Sequence, residues 1–244
     1  QDYKKGHIKG AHAVDLDKDL TGPLGEHGGR HPLPDMEQLA HTFESYGITR
    51  NSKVVVYDSW LFLAGRLWWT LRYMGLTDVR VLSGGIERWV REGHLLTKEP
   101  TPLPAEPSIF NYELQTDMVM SRDEVLKASE SGDHVIIDAR APFRYDGSQV
   151  DTMDGMTGHI PGAVNHFYES GYTVDGPKSL KDLEAEYYNE IYQNRPVVTY
   201  CGSACNALLT MSEVGLESAL YVGSSSDWVT YEGFPLSTGV ETLN

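Results

Sequence analysis

Val197-Val198-Thr199-Tyr200-Cys201-Gly202-Ser203-Ala204-Cys205-Asn206-Ala207 is an apolar, β-branched run that stops at a cysteine and continues as a loop of small residues. Leu208-Leu209-Thr210-Met211 then opens a helical pattern. A strand that ends in a thiol facing the first N–H groups of a helix is a setting that stabilises a thiolate. The same residues also admit a plainer role for Cys201, that of a buried and inert cysteine. The strand end, the small residues and the helix start together favour a nucleophile.

Working outward, strands and helices alternate. Ser121 and Glu124 form a capping box that opens a helix through Val125 and Leu126 to about Glu130. Val135-Ile136-Ile137-Asp138 is a short apolar strand ending in a carboxylate, as in a buried parallel sheet. Leu180 to Gln193 predicts a helix with Leu183, Tyr187 and Ile191 on one face, followed by the Cys201 strand, a helix over Leu208–Val214 and a strand over Ala219–Val222. Upstream, helices are expected over Met36–Tyr46 and Leu63–Met74, with strands over Val54–Tyr57 and Val79–Leu82. The fold class is α/β, a mostly parallel sheet with helices on both faces, and ligands on such sheets sit at the carboxyl ends of the strands. Asp138, Cys201 and Gly223 all fall there.

The chain also repeats itself. Gly6-His7-Ile8-Lys9-Gly10-Ala11-His12-Ala13 returns as Gly158-His159-Ile160-Pro161-Gly162-Ala163-Val164-Asn165. Val54-Val55-Val56-Tyr57-Asp58 is matched by Val197-Val198-Thr199-Tyr200-Cys201. Val81-Leu82-Ser83-Gly84-Gly85-Ile86-Glu87-Arg88-Trp89 is matched by Tyr221-Val222-Gly223-Ser224-Ser225-Ser226-Asp227-Trp228. Motifs in the same order at similar spacing mark a tandem duplication. The predicted division is a first domain over 1–97, a proline-rich linker over 98–113 and a second domain over 114–244. The first half has no counterpart to Val135–Asp138, so it reads as beginning after a strand that the sequence does not include.

With 20 Lys and Arg against 35 Asp and Glu, the formal charge of the 244 residues is −15, which argues against nucleic acid or an anionic membrane as partner. A site for a small anion must therefore carry its own positive potential. No apolar run approaches the ~20 residues of a membrane span, and the start of the chain has no signal-peptide core. Two cysteines in one loop make no disulfide framework, so a reduced, cytoplasmic setting is expected. Neither cysteine has a His or Cys pair at metal-ligand spacing, and no metal or other cofactor is expected. The position six after Cys201 is Ala207, where a tyrosine phosphatase loop needs an arginine, so phosphoryl chemistry is disfavoured.

The repeat, Gly158–Asn165, Ile137-Asp138-Ala139-Arg140 and Tyr200-Cys201-Gly202-Ser203 together resemble the rhodanese superfamily over nearly the whole chain. Within it the chain resembles the two-domain thiosulfate and 3-mercaptopyruvate sulfurtransferases. It implies tandem rhodanese-like domains, with the first lacking the cysteine because Asp58 stands in its place. It further implies that Cys201 takes a sulfane sulfur from a small anionic donor and holds it as a persulfide. The N–H groups from Gly202 through Ser203, Ala204, Cys205 and Asn206 to Ala207 would cradle that persulfide, which then passes to cyanide or a thiol, a thioredoxin-like protein being one candidate. Thiosulfate is the foremost donor, with 3-mercaptopyruvate the other.

Arg144 matches the family arginine that holds the donor, against the plainer role of a surface ion pair. His31 and Asp17 match positions by which the first domain lines the site, or serve only their own loops. Arg140 is expected to brace the fold against a carboxylate, and Asp138 to organise a loop as an acceptor. His7 and His159 recur in both halves and so read as structural. The cysteine loop lacks the basic residues common in thiosulfate-preferring members. The stretch Gln149–Met156 lacks the second arginine of mercaptopyruvate-preferring ones. Cys205 is either a loop filler or a partner to Cys201, which keeps open a second function, a sulfur-carrier or redox-sensing module using Cys201 and Cys205 with little turnover.

Overall fold

The computed structural model describes residues 3–59, 62–173, 176–191, 195–201 and 206–242, with 62, 189–191 and 206 described by backbone alone. The chain divides into two compact units. The first comprises Gln1–Gly22, Leu33–Gln115 and Val174–Gly176; the second comprises Pro23–Pro32, Thr116–Thr173 and Pro177–Asn244.

In the first unit, Asp35 accepts from the Gln38 N–H and so starts helix α1, Met36–Ser45. Strand β1 (Val54–Val56) and strand β2 (Val79–Val81) pair in parallel, with helix α2 (Phe62–Tyr73) as the crossover. Helix α3, Gly85–Arg91, follows β2. Leu39, Phe43, Val56, Trp69, Met74 and Leu76 are buried in this unit. The proline-rich stretch stays with it. Phe110 is buried and meets Phe43 edge-on, while Glu113 and Gln115 donate backbone N–H groups to Met74 and Tyr73.

In the second unit, helix α4 (Arg122–Ser131) has the expected Ser121–Glu124 capping box and ends on Gly132 at φ +67°. Strand β3 is Val135–Asp138, β4 is Ala163–Asn165, β5 is Val197–Tyr200 and β6 is Ala219–Leu220. They form one parallel sheet in the order β4-β3-β5-β6. Every residue of β3 and β5 is buried. Both faces of these central strands are therefore covered, which is why they read as continuous apolar runs. The register sets Asp138 beside Tyr200 on one side and Asn165 on the other, so polar groups gather at the carboxyl end of the sheet.

Strand β4, from the repeated Gly-Ala-Val-Asn motif, was not anticipated. The helix expected over Leu180 to Gln193 is α-helical only over Leu180–Glu184, here α5, and then widens to a π-helix over Ala185–Ile191; residues 192 and 193 lie outside the described residues. The sheet ends at Leu220, two residues short of the expected strand end at Val222, because Tyr221 turns into the loop that precedes the last helix. Helix α6 (Asn206–Glu213) follows β5, and α7 (Ser224–Trp228) follows β6.

The two copies repeat in atomic detail. Ile8 N–H donates to the Tyr57 hydroxyl at 3.0 Å, and Ile160 N–H donates to the Tyr200 hydroxyl at 3.1 Å. His7 stacks on Tyr3 and donates through Nδ1 to its carbonyl, as His159 does with Tyr145. Both histidines are buried and lock a strand bridge, His7 with Thr97 and His159 with Ser237. No described helix is long and apolar enough to cross a membrane.

Candidate active site

Strand β5 delivers Cys201 to the carboxyl end of the sheet with 4% of its surface exposed. Its peptide group is tied at both ends by the α7 serines. Cys201 N–H points to Ser224 Oγ at 3.4 Å, and its carbonyl accepts the Ser225 N–H at 3.0 Å. Ser224 stands at φ +57°, the left-handed region that a side chain rarely adopts. At the matching point of the first copy, Gly85 has φ +59°.

Ser225 Oγ lies 3.0 Å from the Cys201 carbonyl and 2.7 Å from Asp154 Oδ2, and its single proton serves one of them at a time. Asp154 is the hub of the charges around this point. Arg144 Nη2 donates to Asp154 Oδ2, while Arg144 Nε donates to Asp151 Oδ2 at 2.9 Å. Asp151 Oδ1 accepts the N–H groups of Met153 and Asp154 and so shapes the loop. Burial pushes Asp151 up, but the Arg144 hydrogen bond, the two N–H groups and the Arg144 charge outweigh it, and its pKa is lowered.

Beneath this layer, Arg140 and Asp138 form a fully buried pair. The guanidinium donates to both Asp138 oxygens, to Asp151 Oδ2, and to the carbonyls of Met156 and Gly158. Burial opposes the charge on Arg140, but Asp138 overrides it and raises the pKa further. The Asp138 carboxylate also accepts the Arg140 N–H and the Tyr200 hydroxyl. This network braces the strand ends and has no donor to spare for a ligand.

The N-terminal sequence also enters the second unit. Gly28 N–H donates to Asp227 Oδ1 at 2.6 Å, and Arg30 N–H donates to Ser226 Oγ at 3.1 Å. Gly29, at φ +74°, makes the fit possible, because a Cβ there would stand 2.4 Å from the Gly223 carbonyl oxygen. Arg30 Nε lies 2.7 Å from Asp154 Oδ1, but neither atom is aligned for a hydrogen bond, so the contact is an ion pair only.

Of the residues expected at the site, Cys201 and Arg144 share one hydrogen-bonded cluster. Ala207 is buried within α6, and Asn206 is the first residue of that helix. His31, half-buried, follows Arg30 in the same segment. Asp17 belongs to the first unit, on the turn Leu16–Asp19 capped by Asp15. Gly202, Ser203, Ala204 and Cys205 lie outside the described residues. Sequence reasoning missed Arg30, Asp151, Asp154 and Ser225. Tyr168 also stands in the electrostatic field of Cys201; burial, its hydrogen bond to Glu169 and that nearby thiol raise its pKa. Among the described residues no cluster of His, Cys, Asp and Glu could hold a metal ion.

In the first copy, the position of Cys201 is taken by Asp58. Its carboxylate accepts the N–H groups of Leu63 at 2.6 Å and Ala64 at 2.9 Å, at the start of α2. A strand end facing a helix start thus holds an anion in this protein.

The rhodanese-like domain model matches residues 1–92 and again 121–231. The chain belongs to the rhodanese family. Among its relatives in this family is a probable 3-mercaptopyruvate sulfurtransferase of Pseudomonas aeruginosa, 34% identical over 97% of this chain and 86% of that protein. The thiosulfate sulfurtransferase of Rattus norvegicus is 32% identical over 93% of this chain and 79% of that one. The rhodanese fold of SseA from Escherichia coli, a 3-mercaptopyruvate sulfotransferase, superposes with a TM-score of 0.80 at 29% identity, covering 92% of this chain and 85% of that one. A longer solved chain, an anaerobic ergothioneine biosynthesis enzyme from Chlorobium limicola, shares the fold alone. It has a TM-score of 0.82 at 23% identity, covering 98% of this chain but only 62% of that one. The tandem rhodanese domains that the resemblance implied are thereby shown, and the chain is a rhodanese-type sulfurtransferase.

Proposed function

We propose that Cys201 carries the transferred sulfur as a persulfide. With thiosulfate, the thiolate attacks the outer sulfur, an S–S bond forms to Cys201, and the S–S bond of the donor breaks to release sulfite with its electron pair. With 3-mercaptopyruvate, the C–S bond breaks instead, and the thiol proton moves to the carbon that becomes the methyl group of pyruvate. The persulfide then yields its outer sulfur to cyanide, giving thiocyanate, or to a thiol, and the Cys201 thiolate returns.

The observation that carries this reading is the equivalence of Asp58 and Cys201. The first copy fills its strand-end cradle with a carboxylate held by the N–H groups of Leu63 and Ala64. A thiolate or persulfide at the same place in the second copy meets the same kind of anion site. The first copy is accordingly non-catalytic. Arg144 adds positive potential and holds the donor from its Asp151–Asp154 mount, and the residues from Gly202 to Ala207 would supply the N–H groups of the cradle. His31, in the same segment as Arg30, completes the lining. Thiosulfate is the foremost donor and 3-mercaptopyruvate the other, and each finds one family feature missing: basic residues in the cysteine loop for the first, a second arginine within Gln149–Met156 for the second.

Intact mass spectrometry tests the reading. After exposure to thiosulfate or 3-mercaptopyruvate, the protein should gain one sulfur atom on Cys201 and lose it to cyanide. Cys201→Ser should gain none, and Cys205→Ser should retain much of the transfer. No sulfur on Cys201 from either donor would overturn the proposal. Loss of transfer in Cys205→Ser, together with a rapid Cys201–Cys205 disulfide, would favour a redox module instead.

A further inference from the structure

Three arginines surround Asp154 and its neighbours in the second unit, and they differ in what they have left to give. Arg140 is fully buried, with its guanidinium spent on Asp138, Asp151 and two carbonyls. Arg144 is nearly buried, with Nε and Nη2 spent on Asp151 and Asp154. Arg30 has 35% of its side chain exposed, and among the described residues its guanidinium meets only Asp154, without hydrogen-bond alignment. Its charge is anchored while its N–H groups remain unspent. That combination suits a ligand and not a brace.

Its position is equally specific. The Arg30 main chain is pinned to Ser226, next to the Ser225 that holds the Cys201 carbonyl. Asp154 touches Arg30 through one oxygen and Ser225 through the other. Arg30 is thus joined to the Cys201 peptide through one carboxylate and one serine. In a chain of charge −15, a half-exposed cation joined in this way to the Cys201 peptide is the element an anionic donor needs.

We infer that Arg30 binds the donor alongside Arg144, recognising the oxyanion end of the sulfur donor and setting selectivity by donor charge. This rests on the proposed role of Cys201 and deepens it. A cation selects by the product of charges, so its removal should weaken a dianion about twice as strongly, on a logarithmic scale, as a monoanion. Thiosulfate is a dianion. Methanethiosulfonate is a monoanion that offers the same outer sulfur and leaves as methanesulfinate.

The test measures the rate of sulfur uptake on Cys201 against donor concentration for the full chain and for Arg30→Ala, Arg30→Gln and Arg30→Lys. In the Ala and Gln variants, the half-saturating concentration of thiosulfate should rise roughly tenfold and that of methanethiosulfonate roughly threefold. The rate at saturation should change by less than about twofold, and Lys should restore most of the thiosulfate affinity. If Arg30→Ala does not fold, Arg30→Gln, which keeps the stem length, is read the same way. An equal rise for both donors would show that Arg30 only supports the fold, and no rise would show that it does not meet the donor; either overturns the inference. Wild-type protein that takes sulfur from 3-mercaptopyruvate alone would also overturn the inference, whereas uptake from none of the three donors would instead sink the parent reading of Cys201.

Discussion

Ser224 occupies, at φ +57°, the left-handed backbone position that Gly85 occupies at +59° in the first copy. A side chain there costs about 1–2 kcal/mol. What the serine provides is a hydroxyl that faces the Cys201 N–H at 3.4 Å and donates to the Tyr221 carbonyl at 3.1 Å. Ser224→Ala keeps the strain and loses the hydroxyl, whereas Ser224→Gly loses both. The glycine variant should therefore be the more stable of the two by about 1 kcal/mol in urea unfolding. The reverse order would show that the backbone is not strained.

Asp58 should matter to the fold and not to the chemistry. Asp58→Ala removes the acceptor for the Leu63 and Ala64 N–H groups and should cost about 1–2 kcal/mol. Asp58→Asn should recover part of the loss, because its amide oxygen can still accept. Sulfur uptake on Cys201 should be unaffected in both, as measured by intact mass. A large fall in uptake would show that the first copy takes part.

The buried Arg140–Asp138 pair sets up a third test. Arg140→Met leaves Asp138 charged, buried and short of its main partner, at a cost of about 3–5 kcal/mol. Adding Asp138→Asn removes that stranded charge and still offers an acceptor to the Tyr200 hydroxyl, 2.7 Å away. The double variant should be more stable than Arg140→Met alone. Additive losses would contradict this account.

His166 sets a pH dependence. Burial lowers its pKa, the Glu186 carboxylate pulls it back up in part, and Lys178 lowers it. The unfolded state therefore binds the proton more readily than the folded one. The contribution is whole above the ordinary histidine value of about 6.5 and is lost as pH falls through the lower folded value. His166→Gln should flatten the loss of stability between about pH 7.5 and 5.5, seen in urea midpoints. An unchanged slope would assign it to other groups of that range, such as His12, whose pKa burial also lowers.

Much of this was legible in the sequence. The duplication, the buried parallel strands and the structural nature of His7 and His159 follow from motifs that recur, and recurrence is a local signal. Strand β4 was missed because Ala163–Asn165 is too short to show a period. Asp154 and Ser225 were missed because neither is unusual alone; their meaning lies in a contact between residues far apart in the chain. Arg30 was overlooked although Gly28 and Gly29 precede it. Adjacent glycines announce a backbone that must pass close to something, but not what that something is.

Residues Pro23–Pro32 belong to the second unit although they come from the first half of the sequence. The duplicated gene has consequently lost its seam. A fragment cut at the proline-rich stretch would carry Cys201 but leave Asp154 without Arg30 and Asp227 without the Gly28 N–H. Recombination that exchanged the first half for another would strip the cysteine-bearing half of the same groups. What began as two interchangeable modules now has to be inherited as one.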